Sequence, residues 1–372
     1  MCALTIRDNY LKAVTRDNPE WVPWYTWLTK AWEDLLEEKT GRRDYTNYFE
    51  YPWRHPSRPP KEVPKREPEE FAKYYEDVEM PEGSFISGMG VLHTPGSLYH
   101  FTHRVAPLRN ATTLKEVEEF PWPHPQPDYT DAEIDDMRAQ VAKIKADGWV
   151  ASGWGGGCFE AGWAINGMDN MLMEMMTGGE MGAYILDWFT ERGVKNARLS
   201  AMIGCDEIGG GDDVGMQDRM MMDPDLWRKE MKPRVARIFG AAKEIKPDIH
   251  IGYHSDGYIE PIIPDLIETG VDILNPIQPE CMDQEKIKRT YGDRICLQRC
   301  IGTQTVLPFW SPDRIEAQVK WTIDVLGEGG GLIIGPTHSI EPDVPWESFV
   351  AFYRAVMKYG GYENYPGEMP EL

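Results

Sequence analysis

Hydrophobic and polar positions follow one repeating order from about residue 130 onward. A short apolar run is followed by a polar or glycine-rich loop and then by a stretch with helical spacing of its apolar residues. Short apolar runs bounded by Gly, Pro and Asp are typical of buried strands. The predicted strands cover residues 148–156, 201–210, 248–257, 271–280, 294–302 and 331–338, and the segment EWVPWYTW (20–27) adds one near the N-terminus.

The stretches between these strands predict amphipathic helices. The clearest helix covers 223–245, where Asp223 is suited to cap the first turn and Pro224 to occupy the first helical position. A second begins in the same way at Ser311 and Pro312. This second helix covers 311–327, and two further predicted helices cover 262–270 and 345–360.

Strands that alternate with helices indicate a parallel sheet, and this many units in one chain favour closure into a (β/α)₈ TIM barrel. We therefore expect one domain over residues 1–372. Residues 40–125 are rich in Pro, Trp and charge and are predicted to form an irregular excursion over one end of the barrel. Seven strands are counted, so one barrel strand escapes the pattern. No GxGxxG turn opens a helix after the first strand, which disfavours a dinucleotide-binding sheet.

Composition and charge narrow the function classes. The 372 residues are 41% hydrophobic and carry a formal net charge of −22, which disfavours binding to nucleic acids or anionic membranes. The chain contains no apolar run long enough to span a bilayer, and its first residues do not resemble a signal peptide, so we expect a cytoplasmic protein. The six cysteines show no CxxC pair and are expected as free thiols.

Several segments resemble the uroporphyrinogen decarboxylase superfamily, which includes corrinoid-dependent methyltransferases. The resemblance is carried by HSDGYIEPIIPDLIETGVDILNPIQPE (254–280), YGDRICLQRCIGTQ (291–304), GEGGGLIIGPTHSIEPDVPWESFVAFYRA (327–355) and TPGSLYHFTHRVAPLRNATTLKEVEEFPWPHP (94–125). True decarboxylases of this superfamily carry an arginine-bearing loop that binds the substrate carboxylates. The corresponding stretch here, PEWVPWYTWLTKAW (19–32), contains no arginine, so the methyltransferase branch is the better comparison.

In methyltransferases of this kind, zinc is held by a His-x-Cys pair after one barrel strand and by a further Cys after the last strand. This sequence has His254-Ser255-Asp256 and Gly335-Pro336-Thr337-His338 at the matching places. The resemblance therefore implies a metal site in which harder ligands replace both thiolates.

The residues themselves support a metal site formed by His254, Asp256 and His338. Side chains two residues apart in an extended segment point to the same side, and barrel active sites lie where the strands end. Imidazole and carboxylate ligands suit zinc with an open position, and also iron, cobalt or manganese. Alternatively, His254 is a hydrogen-bonded residue at a strand end, Asp256 belongs to an Asp-Gly turn, and His338 is an uncharged hydrogen-bond donor to substrate.

Other residues at the same rim are further candidates. Glu280 is a candidate catalytic residue or an acid at a helix start, and Gln278 is a candidate cofactor-binding residue. Asp213, in the glycine-rich loop 209–215, is a candidate for proton transfer or only a loop residue. Trp154 and Gly156 are candidate cofactor-binding residues, because the run of glycines at 155–157 permits close approach of a ligand.

The leading hypothesis is a methyltransferase that moves a methyl group from a methoxylated aromatic, or a similar small donor, to the cobalt of a partner corrinoid protein. The chain has no DxHxxG-type motif, so the corrinoid is expected on that partner. The resemblance also implies a homodimer. The alternative is a decarboxylase or other lyase acting on a tetrapyrrole-like or aromatic acid, favoured if Arg104, Arg109 or Arg299 faces the mouth. A non-catalytic corrinoid- or tetrapyrrole-binding protein is the third hypothesis.

Overall fold

The computed structural model describes residues 4–60, 66–96, 102–123 and 128–372. Its strands are two to seven residues long. They are β1 (Trp53–Arg54), β2 (Phe85–Ile86), β3 (Leu92–Pro95), β4 (Thr102–Val105), β5 (Val150–Gly156), β6 (Glu207–Gly211), β7 (His250–His254), β8 (Ile273–Asn275), β9 (Cys296–Gln298) and β10 (Leu332–Ile333).

Helices separate the strands along most of the chain. They are α1 (Ile6–Thr15), α2 (Lys30–Thr40), α3 (Tyr45–Tyr48), α4 (Pro68–Phe71), α5 (Leu114–Glu118), α6 (Asp131–Ala146), α7 (Phe159–Asn166), α8 (Met168–Thr177), α9 (Glu180–Met202), α10 (Pro224–Glu230), α11 (Lys232–Lys243), α12 (Ile263–Glu268), α13 (Gln284–Tyr291), α14 (Val306–Phe309), α15 (Pro312–Trp321) and α16 (Trp346–Tyr359). Helix α15 continues as a π-helical turn at Thr322–Leu326, and 3₁₀ turns occupy Ala72–Tyr74, Glu260–Ile262 and Tyr362–Asn364.

Seven parallel strands form the central sheet in the order β1-β5-β6-β7-β8-β9-β10. The segment 20–27, predicted as a strand, extends the β10 edge through a parallel bridge between Trp24 and Ile334. In the part of the chain that the structure describes, no β-bridge joins this segment to β1. The fold is therefore α/β with a curled, TIM-barrel-like sheet, whereas the predicted eight-stranded closure is not complete.

The strand that the sequence pattern misses is β1, which pairs with β5 through Trp53 and Val150. It lies inside residues 40–125, where an irregular excursion was predicted. The same segment also contains a small antiparallel sheet in the order β2-β3-β4. Parts of the excursion, at 61–65, 97–101 and 124–125, lie outside the described residues.

Two other predictions change in detail. The strand predicted over 201–210 is formed only at its end, because residues 201 and 202 still belong to the long helix α9. The helix predicted over 223–245 is split into α10 and α11 around Met231. Pro233 lies in the first turn of α11, where its missing N–H costs no hydrogen bond but prevents continuation of α10. Asp223 caps α10 as predicted.

The core lies between the sheet and its surrounding helices, with buried side chains such as Ile208, Ile251 and Leu297 on the strands. The five cysteines within the described residues are free thiols, as predicted; Cys2 lies outside them. Burial raises the pKa of their thiols. A search of the described residues finds no helix with the length and apolarity needed to cross a bilayer.

Candidate active site

Gly211 allows the carboxyl ends of β6 and β7 to lie side by side. Gly211 pairs in register with His254 and has a φ of +132°, a conformation that residues with a Cβ rarely adopt. A Cβ placed there would lie 2.2 Å from the backbone oxygen of His254. Glycine at this position therefore brings the loop after β6 against the end of β7.

The loops after these two strands also touch through their backbones. A Cβ on Gly257, whose φ is +85°, would lie 2.6 Å from the backbone carbon of Gly215. This contact places Asp213 next to Asp256, and the backbone N–H of Asp256 donates to Oδ1 of Asp213 at 2.8 Å. Two carboxylates distant in sequence consequently share one site.

Asp213, His254 and Asp256 offer ligand atoms that all lie within 4.8 Å of one another. Nε2 of His254 is 3.6 Å from Oδ1 of Asp213 and 3.9 Å from Oδ2 of Asp256. Nε2 of His338 is 3.9 Å from Oδ2 of Asp256. The structure thus brings His254 and Asp256 together with Asp213, for which proton transfer was predicted. His338, the third residue of the predicted metal site, lies beside Asp256 but is not part of this group of ligand atoms.

The imidazole of His254 is oriented by Asn275 at the end of β8. Nδ1 of His254 lies 2.7 Å from Oδ1 of Asn275. The Asn275 amide nitrogen donates to Oε1 of Gln298 at 2.7 Å and to the Tyr25 hydroxyl at 3.0 Å, so its oxygen faces His254. His254 therefore carries its proton on Nδ1, and the Nε2 lone pair is directed toward the two carboxylates.

Burial and neighbouring charges set the protonation of the site. Burial raises the pKa of the Asp256 carboxyl, while the His254 imidazole opposes this effect and the Asp213 carboxylate reinforces it. Burial lowers the pKa of His338, which the charge of Asp256 partly offsets. Oδ1 of Asp256 is buried without a hydrogen-bond partner within the described residues, and such an atom costs free energy unless a ligand satisfies it.

These residues fit a zinc-sized cation. Bonds of about 2.0–2.2 Å to N and O ligands in tetrahedral geometry put the ligand atoms about 3.3–3.6 Å apart, close to the separations around His254. The neutral imidazole and two carboxylates would leave a position open for substrate. His338 lies at the edge of the site, within reach of either that position or a substrate atom.

A cavity of about 220 Å³ extends from His254 into the barrel. Its polar side includes Glu207, Asn275 and Gln298, and its aromatic side includes Trp27, Trp53, Trp154 and Tyr253. Gly209 makes room for the indole of Trp154, since a Cβ there would lie 3.3 Å from that ring. The cavity is smaller than the roughly 300–1,000 Å³ typical of drug-sized ligands and suits a single ring.

A larger groove of about 680 Å³ adjoins this cavity and shares Trp154 with it. Trp154 and Gly156, both predicted to bind a cofactor, line the groove. Asp212 also lines it, but its carboxylate accepts hydrogen bonds from the N–H groups of Cys158 and Glu160. Asp212 thus caps α7, whereas the carboxylate of the adjacent Asp213 lies beside His254 and Asp256.

The remaining candidates at the rim hold loops in place. The carboxylate of Glu280 accepts hydrogen bonds from the backbone and hydroxyl of Thr305 at 3.1 and 2.8 Å. Gln278 is buried, and its side-chain oxygen accepts a hydrogen bond from the N–H of Gly257. Gln278 therefore supports the loop that carries Asp256. Burial raises the pKa of Cys281 to about 11, so its thiol stays protonated.

The three arginines of the lyase hypothesis have different surroundings. Arg109 pairs with Asp77, and Arg104 lines the large groove. Arg299 is fully buried, with its guanidinium 4.1 Å from the ring centre of Trp27 and its Nε donating to the Pro336 oxygen. They do not form one cluster at the mouth.

Sequence reasoning missed Asn275 and the metal-ligating potential of Asp213. Asn275 precedes Pro276, and an Asn-Pro pair is typical of a turn. The signal that was available is the position of Asn275 at the end of a predicted strand, next in order to the strand that carries His254.

Comparisons with known proteins agree with this architecture. A sequence profile of the family described as Uroporphyrinogen decarboxylase (URO-D) matches residues 148–359, more than half of the chain. A curated relative, the uroporphyrinogen decarboxylase of Pseudoalteromonas atlantica, is 26% identical over 155 residues, which are 40% of this chain and 42% of the relative. The aligned part thus spans less than half of that relative's length.

A solved structure of a methyltransferase from Methanosarcina mazei is similar to this chain over nearly its whole length. The TM-score is 0.64 at 17% identity, with 96% of this chain and 99% of the other covered. At that identity the likeness shows the fold, which is the curled parallel sheet described above.

Proposed function

Because the chain belongs to the uroporphyrinogen decarboxylase (URO-D) family, we propose that it is a metal-assisted methyltransferase acting with a partner corrinoid protein. The methyl donor is a methoxylated aromatic or a similar small molecule. The observation that carries the proposal is the cluster of Asp213, His254 and Asp256 at the mouth of an aromatic-lined cavity. Zinc is the proposed metal.

A methyl ether is difficult to cleave because its oxygen is a poor leaving group. Asp213, His254 and Asp256 would hold the zinc ion, which would supply a Lewis acid for this oxygen. Asp213 and Asp256 hold the positive charge in place, and Asn275 keeps the His254 lone pair directed inward. His338, whose pKa burial lowers, would donate a hydrogen bond from its uncharged ring to the departing oxygen. The carbon–oxygen bond of the donor would break as the corrinoid partner supplied the electron pair for the new bond to the methyl carbon, and the donor would leave as an alkoxide or phenoxide.

The cavity walls supply the preference for a flat donor. Trp27, Trp53 and Trp154 offer ring faces and edges to an aromatic substrate, and burial of the ring excludes water from the reacting oxygen. A methoxyarene places its ether oxygen next to His254 when the ring enters the cavity.

The test combines metal analysis with methyl transfer. The purified protein is expected to bind about one zinc per chain and to methylate a cobalt(I) corrinoid with a methoxyarene, followed by methylcobalt absorbance. His254→Ala and Asp213→Asn should lose both properties. Asp218→Asn, at an exposed carboxylate in the same loop region, is the matched control. A metal-free protein with full activity would refute the mechanism.

The lyase alternative makes a different prediction in the same assay. It requires carbon dioxide release from an aromatic or pyrrole-like acid without any dependence on cobalt. The dispersed positions of Arg104, Arg109 and Arg299 give it little support.

The proposed partners are a corrinoid protein and a second copy of this chain. Light scattering of the protein alone, and of the protein mixed with the corrinoid protein, tests both.

A further inference from the structure

The large groove beside Trp154 carries three arginines in a protein whose net charge is −22. Arg58, Arg104 and Arg192 come from the segment before β2, from β4 and from α9 respectively. Within the described residues, none of the three pairs with a carboxylate. Most other arginines of the chain do, as Arg234 does with Asp187 and Glu230.

Arg192 is the most informative of the three. It is half-buried, and its Nη1 donates only to the thioether sulfur of Met89 at 3.3 Å, which is a weak acceptor. Arg58 donates to the neutral side chain of Asn196 at 3.1 Å, and Arg104 lies 5.4 Å from the ring centre of Trp163. Arg58 and Arg192 are partly buried, whereas Arg104 is exposed. Partly buried guanidinium groups have lost hydration that a negatively charged partner would restore.

The other residues that line the groove indicate which kind of molecule would fit it. Apolar side chains form one part of the wall, among them Met89, Val91, Ala164, Ile165 and Phe189. Glu160 and Asp212 are the acidic residues in the lining. Asp212 accepts hydrogen bonds from the N–H groups at the start of α7. Burial raises the pKa of Glu160 to about 7, although the charge of Arg104 opposes this rise. Three arginines in the lining therefore face two acids, one of which is partly protonated at neutral pH.

We infer that this groove binds an organic anion whose acidic oxygens contact Arg58, Arg104 and Arg192 and whose apolar body lies against the hydrophobic wall. The volume of about 680 Å³ is in the range that holds a drug-sized molecule. The inference goes beyond the proposed function, since the groove needs neither metal nor corrinoid. Carboxylate and phosphate groups share the required chemistry, because guanidinium binds both through two parallel hydrogen bonds.

The test uses two fluorescent probes that differ by one acidic group. The metal-stripped protein is titrated with 8-anilinonaphthalene-1-sulfonate and with the neutral N-phenyl-1-naphthylamine. The anionic probe should bind at least about 10-fold more tightly, the effect of a charge-assisted hydrogen bond. Displacement by benzene-1,3,5-tricarboxylate or by pyrophosphate then distinguishes a carboxylate from a phosphate ligand.

Arginine variants locate the binding. Arg192→Gln and Arg104→Gln should each weaken the anionic probe about 10-fold and leave the neutral probe unchanged. Arg192→Lys keeps the charge and should have an intermediate effect. Arg198→Gln, on the same helix as Arg192 but exposed, is the control. Equal binding of both probes, or unchanged binding in the Arg192→Gln, Arg104→Gln double variant, would overturn the inference whether or not methyl transfer is observed.

Discussion

Nδ1 of His254 lies 2.7 Å from Oδ1 of Asn275, and this one hydrogen bond determines which ring nitrogen faces the two carboxylates. A residue that orients a metal-binding imidazole contributes to the affinity for the metal, because the ring otherwise samples other rotations and the other tautomer. The first prediction follows from this contact.

Asn275→Ala should lower the affinity for zinc by about 10–100-fold, the usual loss when a metal-bound imidazole loses its supporting partner. Asn275→Asp keeps the accepting oxygen and should retain most of the affinity. Competition with a zinc chelator measures both constants. Equal affinities of Asn275→Ala and the unchanged protein would show that the imidazole does not need this contact.

Gly211→Ala should disrupt the site, because a Cβ at this position overlaps the backbone of His254. Gly178→Ala is the matched control, since Gly178 also has a positive φ but nothing lies within 4 Å of its added Cβ. The control should lose about 1 kcal/mol of unfolding free energy from backbone strain alone, and Gly211→Ala clearly more. Urea denaturation compares the two, and a similar loss in both would argue against the close approach.

Asp212 and Asp213 are adjacent in sequence but should respond differently to substitution. Asp212→Ala removes the acceptor for two N–H groups at the start of α7 and should cost about 1–2 kcal/mol of unfolding free energy. Asp213→Asn should leave the unfolding free energy of the metal-free protein nearly unchanged and abolish zinc binding. Thermal unfolding and metal analysis of both variants separate the two roles.

The buried carboxyl of Glu207 is expected to make the unfolding free energy of the protein depend on pH. Burial raises the pKa of this carboxyl from 4.5 to about 7, although the Tyr10 hydroxyl donates to it. The folded protein thus holds the proton more tightly than the unfolded chain. Stability from this group is full below pH 4.5 and is lost as the pH rises through 7, by up to roughly 3 kcal/mol.

Glu207→Gln resembles the protonated acid at every pH and should remove this loss. Its unfolding free energy relative to the unchanged protein should therefore be higher at pH 8 than at pH 5. Urea denaturation at the two pH values provides the measurement, with Glu244→Gln at an exposed position as control. If the unfolding free energies of Glu207→Gln and the unchanged protein differ by the same amount at pH 5 and pH 8, the pKa of Glu207 is not raised in the folded state.

The alternation of apolar strands with amphipathic helices was sufficient to predict the parallel sheet, since each strand from β5 to β10 has buried residues bounded by loop signals. Strand β1 was not predictable in this way. It is two residues long and lies between prolines and charged residues, and only its pairing with β5 makes it a strand.

The proximity of Asp256 to His254 and to His338 followed from the positions of these residues after strands of one sheet. The inclusion of Asp213 did not follow, because it depends on the register between Gly211 and His254 and on the backbone contact of Gly215 with Gly257. Such contacts between loops arise in three dimensions and have no periodic signal along the chain.

Trp154 forms part of the wall of both the small cavity and the large groove. A ligand in either space that fixed the orientation of the indole would alter the shape of the other space, and the occupancies of the two spaces would then be thermodynamically linked. If an anion in the groove changes the affinity of the cavity for an aromatic ligand by some factor, the aromatic ligand changes the affinity of the groove for the anion by the same factor. Trp154 would in this way couple the two proposed ligands in both directions.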